Sequence, residues 1–493
     1  MRICIVGGGT AGWMAANLFA HHWTDKPIEI VLVESPEVGI VGVGEGSTPT
    51  LKRFFEMLGI AESDWMSRCN ATYKVNIKFA GWSPQSGIDD YSHPFISQLD
   101  TFSQGAFFMN CRTRRLGLAT HTSPADFLLN GVLAQQNKGP ITPDHFPFRM
   151  EYGYHFDSYL LGDFLKEHGK KLGVIHKQAF ISGIEKQLNG DIKHLLCADG
   201  ERISAELFID CSGFSSLLMQ QQLGVKFKSY HNNLFNDAAV VMPSTISSAI
   251  PVETTATALS NGWCWKIPLT NRFGNGYVYS SDFINSEQAE TELRQHLNMM
   301  ENEHNCRHLK MKVGCLETHW QNNCVGLGLA QGFIEPLEAT ALHLVQICIE
   351  MFIDDFSAGN FTQQFQAQYN QKVTERFERV RDYIVAHYKI NTRNDSEYWR
   401  ANRNNPHLSE SLIQLLEVWY RREDLEQEIK RQNLESHFGT VSWHCLLAGY
   451  GAFPPIADKQ PGTGDLYVDQ KIKSFLHGCS LNFSAHQHNL ERL

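Results

Sequence analysis

The sequence predicts an α/β fold with a mainly helical C-terminal part, in which one parallel sheet is assembled from segments far apart in the chain. Three observations carry this. The chain opens on an apolar strand, a glycine turn and a helix, "ICIVGGGTAGWMAANLFAHHW". Two more buried-strand patterns, "AELFIDCSG" and "NNCVGLGLAQGFIEP", return roughly two and three hundred residues later. From about Phe361 onward the pattern is mainly helical, and pieces such as "RREDLEQEIKRQN" read as solvated helix faces.

The first element is the most specific. Gly7, Gly9 and Gly12 make G-x-G-x-x-G between strand and helix, and "PIEIVLVE" follows as a second apolar strand ending at Glu34, 22 residues after Gly12. That is the distance at which a carboxylate meets an adenosine ribose. Gly7 permits the tight turn, Gly9 lets the backbone approach a pyrophosphate, and Gly12 lets helix and strand pack closely. The helix N-terminus then offers its unpaired N–H groups to the phosphates. This is a Rossmann-like unit, and by itself it leaves NAD and FAD open. A first βαβ unit whose partner strands return much later is the layout of FAD-dependent monooxygenases, in which long insertions build the substrate domain. No second G-x-G-x-x-G occurs, so reduced flavin is expected from elsewhere. Residues 1–493 read as one integrated unit. Its FAD-binding box comes mainly from 1–80, 150–215 and 310–360. Its substrate part comes mainly from 81–149, 216–309 and 361–493.

The remaining elements follow in order. "VGIVGVGEGSTP" reads as a loop, with a helix from Thr50. "ATYKVNIKFAGW" alternates like one strand, with Tyr73, Val75, Ile77 and Phe79 on one face and Lys74, Asn76 and Lys78 on the other. The pattern alone predicts solvated lysines. "HFDSYLLGDFLKEHGKKLG" is an amphipathic helix, "GWCWKIP" reads as a turn carrying Trp263 and Trp265, and "NRFGNGYVYSSDF" is a turn followed by a strand. In "GFIEPLEATALHLV", Pro336 stands where a helix begins. Backbone N–H groups near Thr340 and Ala341 would then point outward in an anion-binding geometry. Glu338 lies in the same turn and reads equally well as a first-turn dipole partner.

Composition excludes several classes. A net charge of -10 argues against a nucleic-acid partner, which would require a basic face. No apolar run reaches 18 residues, and the four-residue run after Arg2 is too short for a secretory segment. The 12 cysteines form no C-x-x-C pair and no zinc-ligand spacing. They read as reduced core residues of a cytoplasmic protein, with no metal expected.

"VGGGTAGWMAA", "VGVGEGSTP", "YKVNIKF", "GWCWKIP", "RFGNGYVYSS" and "FIEPLEAT" occur in this chain in the order found in flavin-dependent halogenases of the tryptophan-halogenase type. "YHFDSYLLGDFL", "LFIDCSG" and "AHYKINTRNDSEYWRANR" also resemble family segments. The resemblance covers residues 1 to about 460, and its two-tryptophan W-x-W-x-I-P signature is specific among flavoproteins.

The resemblance implies a two-component oxidoreductase. A separate NAD(P)H-dependent flavin reductase supplies FADH2, which reacts with molecular oxygen to a hydroperoxide. A halide ion attacks this and gives hypohalous acid, which travels through a tunnel to a lysine beside a small aromatic substrate. Lys74 stands at the position of that lysine, and Glu338 at that of the acid that assists electrophilic substitution. Thr340 and Ala341 stand where backbone groups hold the halide; tryptophan enzymes usually carry Gly at the second position. Gly7, Gly9, Thr10, Ala11, Gly12, Glu34, Glu45 and Gly332 are the implied FAD contacts. Trp263 and Trp265 would screen substrate from flavin, with Ile267 and Pro268 completing the signature. Family members are often dimers.

The implied chemistry is physically sensible. A lysine can hold hypohalous acid by a hydrogen bond or as a haloamine and deliver it at one place. A nearby acid can take up the proton that the ring loses. His93 and Phe95 resemble the residues that sandwich the substrate. Trp443, in "VSWHCLLAGYG", stands where the tryptophan enzymes carry a "YYC" run, and "EPLEAT" departs from their "EPLEST". These departures point to free indole, a substituted indole or another electron-rich aromatic rather than free tryptophan. Bromide, which needs the weaker oxidant, is the easier halide, and the residues do not choose between it and chloride. Two other readings remain at this stage, a flavin-dependent aromatic hydroxylase and a non-catalytic flavin-binding protein. Trp263, Trp265 and Lys74 count against the first, and intact Lys74 and Glu338 against the second.

Overall fold

The computed structural model describes residues 1–36, 44–246, 249–301, 305–460 and 469–493. The first residues of the predicted "VGIVGVGEGSTP" loop, 38–43, lie outside them; Gly44–Gly46 is a short strand. The chain forms two compact units, each gathering three separated stretches. The first comprises 1–71, 156–231 and 311–378, and the second 72–155, 232–310 and 379–493.

The first unit is built on a six-stranded sheet. Its order is Trp320–Gln321, Cys324–Gly326, Leu207–Asp210, Arg2–Val6, Glu29–Glu34, Ile175–Gln178. All pairs but the first are parallel. Arg2–Val6 sits in the middle, and its residues Ile3 to Val6 are all buried rather than alternating. That is the expected pattern for a parallel strand covered on both faces. Phe208, Val31, Val33, Leu218, Met219 and Leu316 pack around it in one apolar cluster. The helix Thr10–His22 is likewise buried from Gly12 to Phe19. Its one polar interior residue, Asn17, is satisfied by donating to the carbonyls of Trp13 and Leu165, 2.7 and 2.9 Å away.

The second unit centres on a seven-stranded sheet. Its order is Arg307–Lys310, Ala238–Ser244, Phe273–Tyr279, Gly262–Pro268, Glu253–Leu259, Asn76–Ser83, Ile88–Pro94. Only Glu253–Leu259 with Asn76–Ser83 is parallel. "GWCWKIP" is therefore an interior strand, not the predicted turn. Its alternation puts Trp263, Trp265 and Ile267 on one face. On the other, Cys264 joins a core of Val240, Tyr277 and Leu293. "ATYKVNIKFAGW" is two strands rather than one. Thr72–Lys74 pairs with Gly153–His155, and Asn76–Ser83 joins the large sheet. Helices dominate the C-terminal part, and their caps are written locally. In "RREDLEQEIKRQN", Asp424 accepts from Gln427 N at 3.1 Å, acids fill the first turn and bases the last.

No described helix is long and apolar enough to cross a membrane. All 12 cysteines are free, and ten are buried.

Candidate active site

The glycine turn of the first unit has the form its spacing predicts. Gly7 adopts φ +120°, and a Cβ there would lie 2.2 Å from the Cys211 carbonyl oxygen. A Cβ on Gly12 would meet the Gly7 carbonyl oxygen at 2.0 Å, so helix and strand touch through this residue. Above Gly9, by contrast, nothing lies within 4 Å of where a Cβ would be. Gly9 is also the N-cap of the helix and supplies no side-chain acceptor, and Thr10 and Ala11 follow half-buried. The first-turn N–H groups are thus left for an external anion. Ala11 packs against the turn at Gly328 (φ +63°). Gly332 lies in a short strand against Gly314–Leu316, where a Cβ would meet Cys315 at 2.7 Å.

Glu34 ends its strand as predicted. Its Oε1 accepts from Lys166 Nζ at 2.6 Å and from the His176 ring at 2.7 Å, while Oε2 lies over Gly8 of the turn. Burial pushes the Glu45 carboxyl up to about 7, partly opposed by a hydrogen bond from Ser158.

Asp210 is a residue that pattern reading passed over. It is fully buried at the end of its strand. Its Oδ2 accepts from the backbone N–H groups of Leu218 and Met219, both at 2.8 Å, and its Oδ1 from the Ser212 hydroxyl at 2.5 Å. Burial raises its carboxyl all the same. The acid in "LFIDCSG" was visible, but its partners eight and nine residues on were not.

The helix predicted at Pro336 begins instead at Thr340, after a turn closed by Ala339 N donating to the Pro336 carbonyl at 3.0 Å. Ala339 is its N-cap and has φ +56°. A non-glycine residue there costs about 1 kcal/mol, which marks a conformation imposed by the surroundings. Glu338 precedes the cap and is buried, as is Glu335. Glu338 is therefore not a first-turn dipole partner. Thr340 is 2% exposed, and its Oγ1 has no hydrogen-bond partner among the described residues. Ala341 lies in the same first turn.

In the second unit, Lys74 is 0% exposed. This overturns the solvated reading of its strand. The break at Val75 is the reason, because Lys74 pairs with Gly153 and not with the large sheet. Asn76 is buried too, donating to Glu253 Oε2 at 2.6 Å and Ser92 Oγ at 2.9 Å. Only Lys78 reaches solvent in part, paired with Asp90 at 3.0 Å. The Lys74 Nζ stands 5.4 Å from the centroid of the Phe95 ring, within cation–π range.

Below Lys74 lies a side-chain network that the sequence did not announce. Thr72 Oγ1 donates to the Pro268 carbonyl at 2.7 Å. His155 joins Thr72 through Nδ1 and Thr254 through Nε2, both at 2.9 Å. Burial, and then the Lys74 charge, hold the His155 ring well below its ordinary value, so it is neutral.

The aromatic residues separate into two groups. Trp263 and Trp265 are buried with ring centroids 6.0 Å apart. Gly276 opposite leaves room for the Trp265 indole, which a Cβ would approach to 2.1 Å. Ile267 and Pro268 close the same strand. His93 and Trp443 instead gather around Tyr383, at 6.0 and 5.0 Å, and the His93 ring meets Ser442 Oγ at 3.1 Å. Phe95 stands with Lys74.

Comparison with known proteins identifies the family. Residues 2–462 match the tryptophan-halogenase family. The chain is 35% identical to a tryptophan 6-halogenase of Streptomyces toxytricini, over 85% of this chain and 83% of that one. It is 34% identical to a 7-chloro-L-tryptophan 6-halogenase of Kutzneria, over 95% and 94%. A solved flavin-dependent halogenase from Xanthomonas campestris superposes with a TM-score of 0.85 at 31% identity, covering 100% of this chain and 98% of that one. The chain belongs to the tryptophan-halogenase family, and is an enzyme of the flavin-dependent type that halogenates aromatic compounds with reduced FAD.

Proposed function

We propose that this enzyme halogenates an indole or another electron-rich aromatic, with Lys74 presenting hypohalous acid to the ring. The observation that carries the reading is the buried Lys74 ammonium beside the Phe95 ring. An ammonium taken out of water is costly, and the short strand Thr72–Lys74 is buried at every position, where an apolar side chain would serve packing better. Phe95 offers an aromatic face on which a flat substrate can stack within reach of that amine.

The residues of the glycine turn suit FAD. Gly7, Gly9, Thr10, Ala11 and Gly12 would hold its pyrophosphate, Glu34 its ribose, and Glu45 and Gly332 would complete the contact set. Bound reduced FAD, with oxygen, supplies the oxidising power that turns halide into hypohalous acid. A separate NAD(P)H-dependent reductase provides the reduced flavin, in the cytoplasm. The N–H groups at Thr340 and Ala341 and the Thr340 hydroxyl, which has no partner among the described residues, would hold the halide, bromide more readily than chloride. Trp263, Trp265, Ile267 and Pro268 act as a rigid wall that keeps substrate from the flavin. The Lys74 amine holds hypohalous acid on its way from a tunnel and directs the halogen at one ring carbon. A carbon–halogen bond forms with the ring's electron pair as the oxygen–halogen bond breaks, the departing hydroxide takes a proton from the Lys74 ammonium and leaves as water, and Glu338 takes the displaced ring proton. His93, Phe95 and Trp443 are assigned to the substrate side.

The test is mass spectrometry of the purified enzyme with FAD, a flavin reductase, NADH and bromide. Indole, tryptophan and simple phenols serve as substrates. A bromine isotope pair on indole and not on tryptophan is the expected result. A pair on tryptophan alone would overturn the substrate assignment, and an added oxygen without halogen would make the enzyme a hydroxylase. Lys74→Ala should abolish bromination, a loss of at least about a hundredfold, while FAD still binds.

A further inference from the structure

The network beneath Lys74 has only one consistent arrangement of protons. The Pro268 carbonyl can only accept, so the single Thr72 hydroxyl proton points to it. His155 Nδ1 must then donate to Thr72 Oγ1, and a neutral His155 accepts at Nε2 from the Thr254 hydroxyl. A second imidazole holds the next residue. His486, in the C-terminal helix His486–Leu490, accepts the Tyr73 backbone N–H at Nε2, 3.3 Å away, and its Nδ1 meets the Ile250 carbonyl at 3.0 Å. An acceptor at Nε2 and a donor at Nδ1 make this ring neutral with the same tautomer. Both histidines are fully buried. Beyond Lys74, Val75 donates to the Val252 carbonyl at 2.9 Å and accepts from Phe95 N at 3.0 Å. The strand that carries the lysine is therefore clamped at Thr72, Tyr73 and Val75. One clamp ends on the proline of the two-tryptophan signature. Another comes from residue 486, beyond the 2–462 span of the family match.

We propose that His155 and His486 are positioning residues for halogen transfer. Through Thr72 and the Tyr73 amide they hold the Lys74 amine beside Phe95, so that hypohalous acid is spent on the aromatic ring and not released. The inference rests on Lys74 presenting the halogenating species. What marks the two rings is where their bonds end: His155 holds the Thr72 hydroxyl and His486 the Tyr73 amide, the two residues that precede Lys74, and each bond requires one protonation pattern.

The experiment measures two quantities together in the holoenzyme, with FAD, reductase, NADH, bromide and indole. One is bromoindole formed per reduced flavin consumed. The other is hypobromous acid caught by an added β-diketone trap. Thr72→Val removes the hydroxyl at nearly constant shape, Thr72→Ser keeps it, and His486→Phe removes the second clamp while filling its space. Thr72→Val and His486→Phe are expected to lower bromoindole per flavin by at least about tenfold while trapped hypobromous acid rises, and Thr72→Ser to restore coupling. Wild-type coupling in both variants would overturn the inference, as would product and trapped acid falling together. His486→Phe carries the test alone if Thr72→Val does not fold. Lys74→Ala separates the two levels. Bromination surviving in that variant would sink the role of Lys74 itself. Its loss, with both clamp variants fully coupled, would remove only the positioning role.

Discussion

The glycine turn of the first unit and the lysine strand of the second solve opposite problems. At the turn, the working groups are backbone N–H and the work is done by absent side chains. Gly7, Gly9 and Gly12 span six residues, and each is explained by what a Cβ would strike or leave open. Around Lys74 the working groups are side chains, and the support comes from Phe95, His155, Thr254, Pro268 and His486. A site made of backbone is local and tolerates no added atom. A site made of side chains is dispersed, and its weak points are lost hydrogen bonds and altered protonation.

This contrast can be broken in three ways. The largest effect is expected from Gly12→Val. The new side chain meets backbone at the Gly7 carbonyl and cannot move aside. FAD affinity should fall by at least about a hundredfold by fluorescence titration, with overpacking costing about 1–3 kcal/mol of stability. Retained flavin binding would mean that the turn is not the pyrophosphate cradle.

A smaller effect is expected from Thr340→Val, which removes a buried hydroxyl that satisfies nothing inside the described protein. If that hydroxyl serves the halide, the bromide KM should rise about tenfold, near 1–1.5 kcal/mol, with kcat little changed. An unchanged KM, or a lower kcat alone, would remove Thr340 Oγ1 from the halide site.

The smallest effect is a loss of stability on acidification. Burial lowers His444 and His486 to about 4 and His319 and His343 to about 3, and holds His155 well below 6.5. These folded-state values lie below the unfolded one. The unfolded chain therefore takes up protons first as pH falls through 6.5, and the stability present above that pH is lost on acidification. At pH 5 each such group withdraws about 2 kcal/mol. His155, His444 and His486 lie in the unit that carries Lys74, and His319 and His343 in the other. Hydrogen exchange at pH 7 and pH 5 should thus show a loss of protection in both units on acidification. Unchanged protection in a unit would mean that its buried rings are not a source of acid sensitivity.

Much of the first unit was legible because its signals are short in range. The central strand, the turn, the helix and Glu34 follow from residues 3–34 alone. The second unit was read less well. "GWCWKIP" looked like a turn because glycine and proline bracket it, yet Gly262–Pro268 is an interior strand paired on both sides. Lys74 looked solvated because alternation assumes one continuous strand, and the change of partner at Val75 was not visible. In the first unit, too, Pro336 marked a helix start four residues too early, because the chain first makes a turn through Ala339 at positive φ. The resemblance pointed to Lys74, Glu338 and the tryptophan pair. It did not point to Asp210, His155, Thr254 or His486, whose meaning lies in partners far along the chain.

By itself, the sequence determined the fold class, the glycine turn and the family, since these depend on residue types at fixed short spacings. Tertiary structure decided that Lys74 is buried beside Phe95. It also decided that Thr340 carries a hydroxyl with no partner among the described residues and that two neutral histidines meet the lysine strand. Burial and proton placement are properties of neighbours brought together from distant segments, and no local periodicity encodes them.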